Sequence, residues 1–516
     1  MRITSIDTDR RGFLRATLAA GAVIAAPALL AGCSTGSSGE GSATTRLRVG
    51  VQGGGNTETL DFNHVLGESD IARTSQIFEG LTYFDVDGSV KNRLAESLEP
   101  NSDGTVWTVA LKKGVKFHDG SDFDADSVLF SLNYILDAAN SADGASVIDE
   151  IDLTNSRKVD THTVEIHLTK PNFLLPILLG ERMILMLPAD TTPDWNKPVG
   201  TGPFSFGSFK LGERSVFPRF DDYHGGPALV EELEIISIDD ATARLNALKS
   251  GTVDAIAQVA PELVSTAGAS FTLLTADSAT FPTIYTRLSL DPFTDSRVTQ
   301  ALRLAADRQQ LIDSVLFGAG ALGNDLASPT DPYYAADLPQ REHDPDQAKY
   351  LLKQAGYDTL PLTLFTADHA IGAAESATVF ASQAKEAGFE ITINKMTVSE
   401  YYDKAWLKES FATSNWGGRP LISWMKQAVL PGAAYPETDW DREDFTTLVE
   451  DAVANPNDDE RKTLFHDAQT MLYDDGGYLI WGFMQNIDAT TTKVSGITAS
   501  SIRPLGNYDF RTAKVS

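Results

Sequence analysis

Cysteine is almost missing from this chain: one thiol, Cys33, in 516 residues. A disulfide needs two, so the body folds without one, and no cysteine cage for zinc can form. Histidine is scarce too, eight in all, and no H-E-x-x-H pair occurs, which leaves a zinc-protease reading without support. No apolar run reaches the roughly 20 residues that a membrane-spanning helix wants. Basic charge is short: 42 Lys and Arg stand against 71 Asp and Glu, a net of −29. So acidic a body repels nucleic acid and anionic lipid surfaces, which excludes both as partners and favours solubility. A hydrolase would need a nucleophile with a base, paired carboxylates or a metal set. The one match, Gly32-Cys33-Ser34-Thr35-Gly36 to G-x-S-x-G, lacks the strand-to-helix elbow that motif requires.

What is present begins with an export leader. Arg10-Arg11-Gly12-Phe13-Leu14-Arg15 resembles a twin-arginine signal. The apolar run Ala16 to Gly32, interrupted by Pro27, is too short to anchor and reads as a segment that is removed. Leu30-Ala31-Gly32-Cys33 matches the bacterial lipobox, so the single thiol is the expected lipidation site and residues 1–32 the signal peptide. Each buried CH₂ is worth about 0.8 kcal/mol, so acyl chains on Cys33 would hold the protein at a membrane without a spanning helix. The leader carries four arginines and two aspartates, so the mature chain stands near −31. Residues 33–45, rich in Ser, Gly and Thr, form a flexible linker.

From Arg46 the pattern is mixed α/β. Leu47, Val49 and Val51 alternate as a strand before the turn Gly53-Gly54-Gly55-Asn56. Thr105 to Phe117 reads as a β-hairpin about Lys113-Gly114, Asp124 to Ala139 as a helix, and Asp152 to Thr169 as two strands. Helices are expected at 241–249, 295–306, 308–317, 344–355, 372–387, 441–454 and 458–473. Strands fall at 253–256, 362–365, 389–394 and 411–413, and one long last strand at 478–488. Asp124 or Asp126, and Asp295, stand where a helix N-cap belongs. A calcium loop counted from Asp122 would need Gly and Glu where Ser127 and Asn133 stand.

Several segments then fall into one order. Asn92-Arg93-Leu94-Ala95-Glu96-Ser97, Val115-Lys116-Phe117-His118-Asp119-Gly120, Val199-Gly200-Thr201-Gly202-Pro203-Phe204 and Ala247-Leu248-Lys249-Ser250-Gly251 are followed by Arg297 to Leu302 with Asp307-Arg308, and by Asp344-Pro345 to Leu352. Together they resemble the family 5 extracellular solute-binding proteins, the dipeptide, oligopeptide and nickel type that feed ABC importers. The resemblance spans nearly the whole mature chain. It implies a periplasmic-binding-protein-like α/β fold, two mixed lobes joined by two crossover strands, with an extra β-rich subdomain in lobe I. Lobe I would be residues 46–280, its extra subdomain about 85–200; lobe II would be 281–484, and 485–516 would return to lobe I. It also implies a monomeric binding protein, not an enzyme, with no cofactor or metal. The protein would be tethered outside the cytoplasmic membrane, in a periplasm or at the cell surface, and would deliver a peptide-like or other small polar solute to permease subunits. A secreted hydrolase and a chaperone-like lipoprotein of the same fold are the alternatives.

For the ligand site, Asn415-Trp416-Gly417-Gly418-Arg419 brings a flat apolar wall and close backbone approach to one place. Peptide-binding members of the family carry an aspartate where Arg419 stands here. Arginine presents a fork suited to carboxylate or phosphate, so an acidic or polyhydroxylated group is expected opposite it, unless Arg419 pairs with a surface acid. Asp368 and His369 replace the arginine expected in dipeptide binders. Asn56, Thr57, Tyr83, Tyr285 and Trp481 complete the candidates, although aromatics on strands are more often core.

Overall fold

Leu47, Val49 and Val51 are wholly buried on the strand Arg46–Val51, which pairs in parallel with Glu232–Ser237 on one side and Ala255–Ile256 on the other. Their alternation puts all three on the buried face, while Arg46 on the other face stays exposed and Arg48 half-buried, paired with Asp254 at 2.7 Å. The computed structural model describes residues 45–65, 67–268 and 270–516. The expected signal peptide, Cys33 and all of the expected linker but Thr45 lie outside the described residues.

Two mixed sheets organise two lobes. The first runs in the order Phe271–Asp277, Gly482–Thr491, Ala255–Ile256, Arg46–Val51, Glu232–Ser237, Arg214–Pro218 and Ser208–Lys210, with Gly320–Leu322 added beside the Gly482–Thr491 strand. The second runs Phe389–Lys395, Leu360–Thr366, Phe411–Trp416, Phe281–Thr286 and Tyr478–Leu479. The chain leaves the first sheet after Asp277 and enters the second at Phe281; it leaves the second after Leu479 and re-enters the first at Gly482. The two links lie side by side, Met484 N–H donating to Thr280 O at 2.8 Å. One long last strand is therefore corrected to two, broken at Ile480-Trp481 where the pairing partner changes.

A third, antiparallel sheet of Ala95–Pro100, Val106–Leu111, Thr163–His167 and Arg157–Asp160 builds the extra subdomain. The hairpin expected over 105–117 does not form: Val106–Leu111 pairs with Ala95–Pro100 and Thr163–His167. The turn at Gly114 is real, with a φ of 75°, but Val115 and Phe117 beyond it drop into the core. The helix Ala125–Leu136 covers this sheet, its first turn capped by Asp124, which accepts from Asp126 N at 3.0 Å and Ser127 N at 3.2 Å. Asp122 and Asp126 are taken by Lys116 and Lys158, at 2.7 and 2.6 Å.

The shared motifs have structural reasons. A Cβ at Gly200 would stand 2.1 Å from Ile77 O, and one at Gly202 2.2 Å from Gln76 O, so only glycine admits this approach. Thr201 between them donates to Glu79 at 3.0 Å. Asp307 caps the helix Arg308–Val315, accepting from Gln310 N at 2.9 Å. Arg308 then makes two 2.8 Å bonds to buried Asp325, which also takes Arg341 at 2.8 Å and lies 3.9 Å from Arg303.

On the return strand Asp488 is fully buried, accepting from Gln258 N at 2.9 Å and Leu505 N at 2.6 Å. Burial pushes its carboxyl up to about 7. The folded chain therefore holds this proton more tightly than the unfolded chain, and the stability it supplies at low pH is lost as pH rises from about 4 to about 7. The full effect is about 4 kcal/mol at most. Wild type minus Asp488→Asn, followed as melting temperature across that window, is expected to decline with rising pH. A difference that stays flat rejects Asp488 as the source.

Candidate functional site

The strand Phe411–Trp416 lies antiparallel to Phe281–Thr286, with Trp416 opposite Phe281. After Trp416 the chain turns through Gly417-Gly418-Arg419-Pro420 into the helix Leu421–Ala428. The turn meets lobe I at Gly418, where an added Cβ would sit 3.3 Å from Ala279 Cβ and from Ser501 O. Its N–H donates to Thr280 Oγ1 at 3.1 Å. Close backbone approach thus falls to Gly418; Gly417 faces open space.

Trp416 is held from below. Its indole N–H donates to Glu437 Oε2 at 2.9 Å, and Trp406 Nε1 donates to Glu437 Oε1 at 2.7 Å. The Tyr478 hydroxyl donates at 2.9 Å and that of Ser414 completes the set. Burial raises the Glu437 carboxyl above its ordinary value, and these four donors oppose the rise. Above Trp416 the Arg419 guanidinium stacks 5.0 Å from the ring centre, donating to Gly417 O at 3.3 Å and to Gln427 Oε1.

A cavity of about 310 Å³ is lined mainly by lobe I, including Tyr83, Glu181, Arg182 and Arg503, and lobe II adds Gly418 and Arg419 to its lining. Glu181 and Arg182 follow the short helix Leu175–Leu178; Arg503 precedes the turn Pro504–Asn507 in the C-terminal return. Tyr83 is covered by Arg93, 3.8 Å over its ring. Burial, with repulsion from Arg503 and Arg419, lowers Arg182 to about 10. Burial first, and then Arg503, lowers Arg419 as well.

Of the residues singled out from sequence, Arg419 and Tyr83 line the cavity and Trp416 lies beneath Arg419, with Asn415 exposed and Gly417 half-buried beside it. His369 stacks on Tyr401, centroids 4.7 Å apart at 10°, and starts an aromatic row through Tyr402, Trp406 and Tyr435 that reaches Trp416. Burial drives its imidazole down to about 4, so the ring is neutral at pH 7. Asp368 points outward to Lys395 at 2.7 Å. Asn56 and Thr57 are exposed on a turn away from the cavity lining. Tyr285 and Trp481 are corrected to core residues: both are fully buried, Tyr285 accepting from Leu407 N at 3.3 Å and Trp481 packed among the aliphatic side chains of lobe II.

Sequence reasoning missed Glu181, Arg182, Arg503 and Glu437. For the first two a signal exists, since Glu181-Arg182 are the only charges between Phe173 and Pro188. Adjacent charges inside an apolar run need a reason.

The family model of bacterial extracellular solute-binding proteins, family 5 matches residues 89–427. The chain belongs to that family. The Dipeptide-binding protein of Escherichia coli is 26% identical over 461 residues, covering 82% of this chain and 85% of that protein. Heme-binding protein A of Haemophilus influenzae is 31% identical over 320 residues, but the match spans 56% of this chain and 58% of that protein. Among solved structures, the binding protein AgaA of A. tumefaciens R10 in complex with agropinic acid superimposes with a TM-score of 0.80 at 23% identity, covering 91% of this chain and 99% of that one. DppA from Helicobacter pylori with the peptide STSA gives 0.79 at 21%, covering 92% and 98%. At those identities the likeness speaks for the fold: periplasmic binding protein, two lobes. The family 5 protein described here is a substrate-binding protein of the peptide and nickel ABC-transporter type, and the relatives named are binding proteins rather than enzymes.

Proposed function

We propose that this family 5 protein captures a small polar solute between its lobes and delivers it to an ABC permease, working as a monomer tethered outside the cell membrane through Cys33. The observation that carries this reading is the shared cavity, whose lining includes Gly418-Arg419 of lobe II and Glu181, Arg182 and Arg503 of lobe I. A site divided between two bodies is complete only when they approach, so ligand binding favours the approached state. The rims carry contacts of the same kind. Lys426 of lobe II reaches Asp149 at 2.8 Å and Glu150 at 2.5 Å in the extra subdomain, and Phe173 N donates to Val453 O at 2.9 Å. Among the described residues no helix is long and apolar enough to cross a membrane.

Small-angle scattering of the purified chain, with and without the cargo that native mass spectrometry finds co-purified, tests capture. A smaller radius of gyration with cargo is expected; superimposable profiles reject it. For the tether, Cys33→Ser is expected to move the chain from the membrane fraction to the soluble one. Retention in the membrane fraction rejects Cys33 as the anchor.

A further inference from the structure

Arg93, Arg182, Arg419, Arg503 and Arg511 line the cavity together with Glu79, Asp85, Glu181 and Asp509, and three of the five guanidiniums lack a close carboxylate. Arg182 donates to Val65 O at 2.7 Å, and Arg419 to Gly417 O and Gln427 Oε1. Arg503 reaches a single acid among the described residues, Glu68 at 4.0 Å, and Glu68 already accepts the Tyr508 hydroxyl at 2.6 Å. None of the three has the close carboxylate partner that Arg93 and Arg511 have in Glu79 and Asp509. All three line the one cavity, and Arg503 and Arg419 both lower Arg182, beneath the larger effect of burial. Of the lining carboxylates, Glu181 is 3% exposed, and its Oε1 has no hydrogen-bond partner among the described residues.

Clustered cations in a chain of net −29 are unfavourable until something negative joins them, because a buried charge is costly without a partner. Planar guanidinium forks pair with carboxylate and phosphate two bonds at a time. The volume, about 310 Å³, lies at the low end of the roughly 300–1,000 Å³ of small-molecule sites, which favours a compact ligand over an extended peptide. We infer that the site takes a small organic acid with at least two anionic groups, held by Arg182, Arg419 and Arg503, and with a hydrogen-bond donor set against Glu181. This rests on the capture reading above and names the class of its cargo.

Titration calorimetry with three probes tests the inference: citrate as a compact tricarboxylate, inorganic phosphate, and trialanine amide as a cationic peptide. Binding of citrate or of phosphate is expected, and which of them binds tells carboxylate from phosphate chemistry. Arg182→Gln and Arg503→Gln are each expected to weaken the responding anion at least tenfold. Arg503→Gln should not lower the ligand-free melting temperature, since it relieves repulsion of Arg182 and gives up only the 4.0 Å approach to Glu68. The inference is overturned when neither anion binds, when trialanine amide binds in their place, or when Arg503→Gln leaves anion affinity unchanged. Should the co-purified cargo prove neutral or cationic and still compact the chain in scattering, the cargo class fails and capture stands. Should no cargo compact it, capture itself fails.

Discussion

Asp325→Ala is expected to destabilise the chain by about 3–5 kcal/mol, measured as a shift in the urea midpoint. Asp325 is fully buried and accepts two 2.8 Å bonds from Arg308 and one from Arg341, with Arg303 at 3.9 Å. Burial alone would raise its carboxyl, and the three arginines more than reverse that, holding it below the ordinary carboxylate range. Removing the acid leaves three buried or near-buried guanidiniums with backbone carbonyls but no counter-charge. Its effect reaches beyond the cluster, because Asp325 N and Gly323 N donate to the carbonyls of Ile480 and Trp481, at 3.3 and 3.1 Å, on the returning link between the lobes. Asp325→Asn, which keeps one of the two acceptor oxygens but loses the charge, is expected to fall between wild type and alanine. A midpoint for Asp325→Ala within about 0.5 kcal/mol of wild type, the usual range of inert surface changes, rejects this account.

Glu437→Ala should lower both stability and ligand affinity. Four buried donors, two indole N–H and two hydroxyl groups, end on this carboxylate. Leaving one such donor unsatisfied costs about 1–3 kcal/mol, and with partial relief from water the total is about 4 kcal/mol. Glu437→Gln places an amide N–H₂ among donors and is expected to cost about half as much. Trp416 is the floor under Arg419, so losing its anchor should weaken the co-purified cargo at least tenfold in calorimetry. Stability lost with affinity intact would mean that packing against Trp424 and Tyr435 suffices to place the ring, and the positioning role of Glu437 would fall.

Most helices were legible because their start signals are local. Asp295, Asp307 and Asp344 each stand at an N-cap and accept backbone N–H groups of the first turn, and the apolar spacing behind them sets the buried face. What local chemistry does not encode is the identity of a distant partner. The turn at Lys113-Gly114 was visible, but its strand pairs with residues 163–167 instead of the nearest run. The break at Ile480-Trp481 looked like continuous strand because both halves are apolar; it exists only because they belong to different sheets. The site divides in the same way. Trp416 and Arg419 stand out in one short segment, whereas Arg182 and Arg503 come to the same cavity as Arg419 only after both lobes have folded. Glu437 is one of three acids in the loop Glu437 to Asp441 until four donors converge on it.

The bond from Gly418 N–H to Thr280 Oγ1 has a mechanical sense. Thr280 belongs to the first link between the lobes, and its carbonyl receives Met484 N–H from the strand that follows the second. The residue beside Arg419 is therefore bolted to the pivot itself, which puts the proposed cargo contact on a short lever arm. A pull on that arginine would be passed to both straps at once.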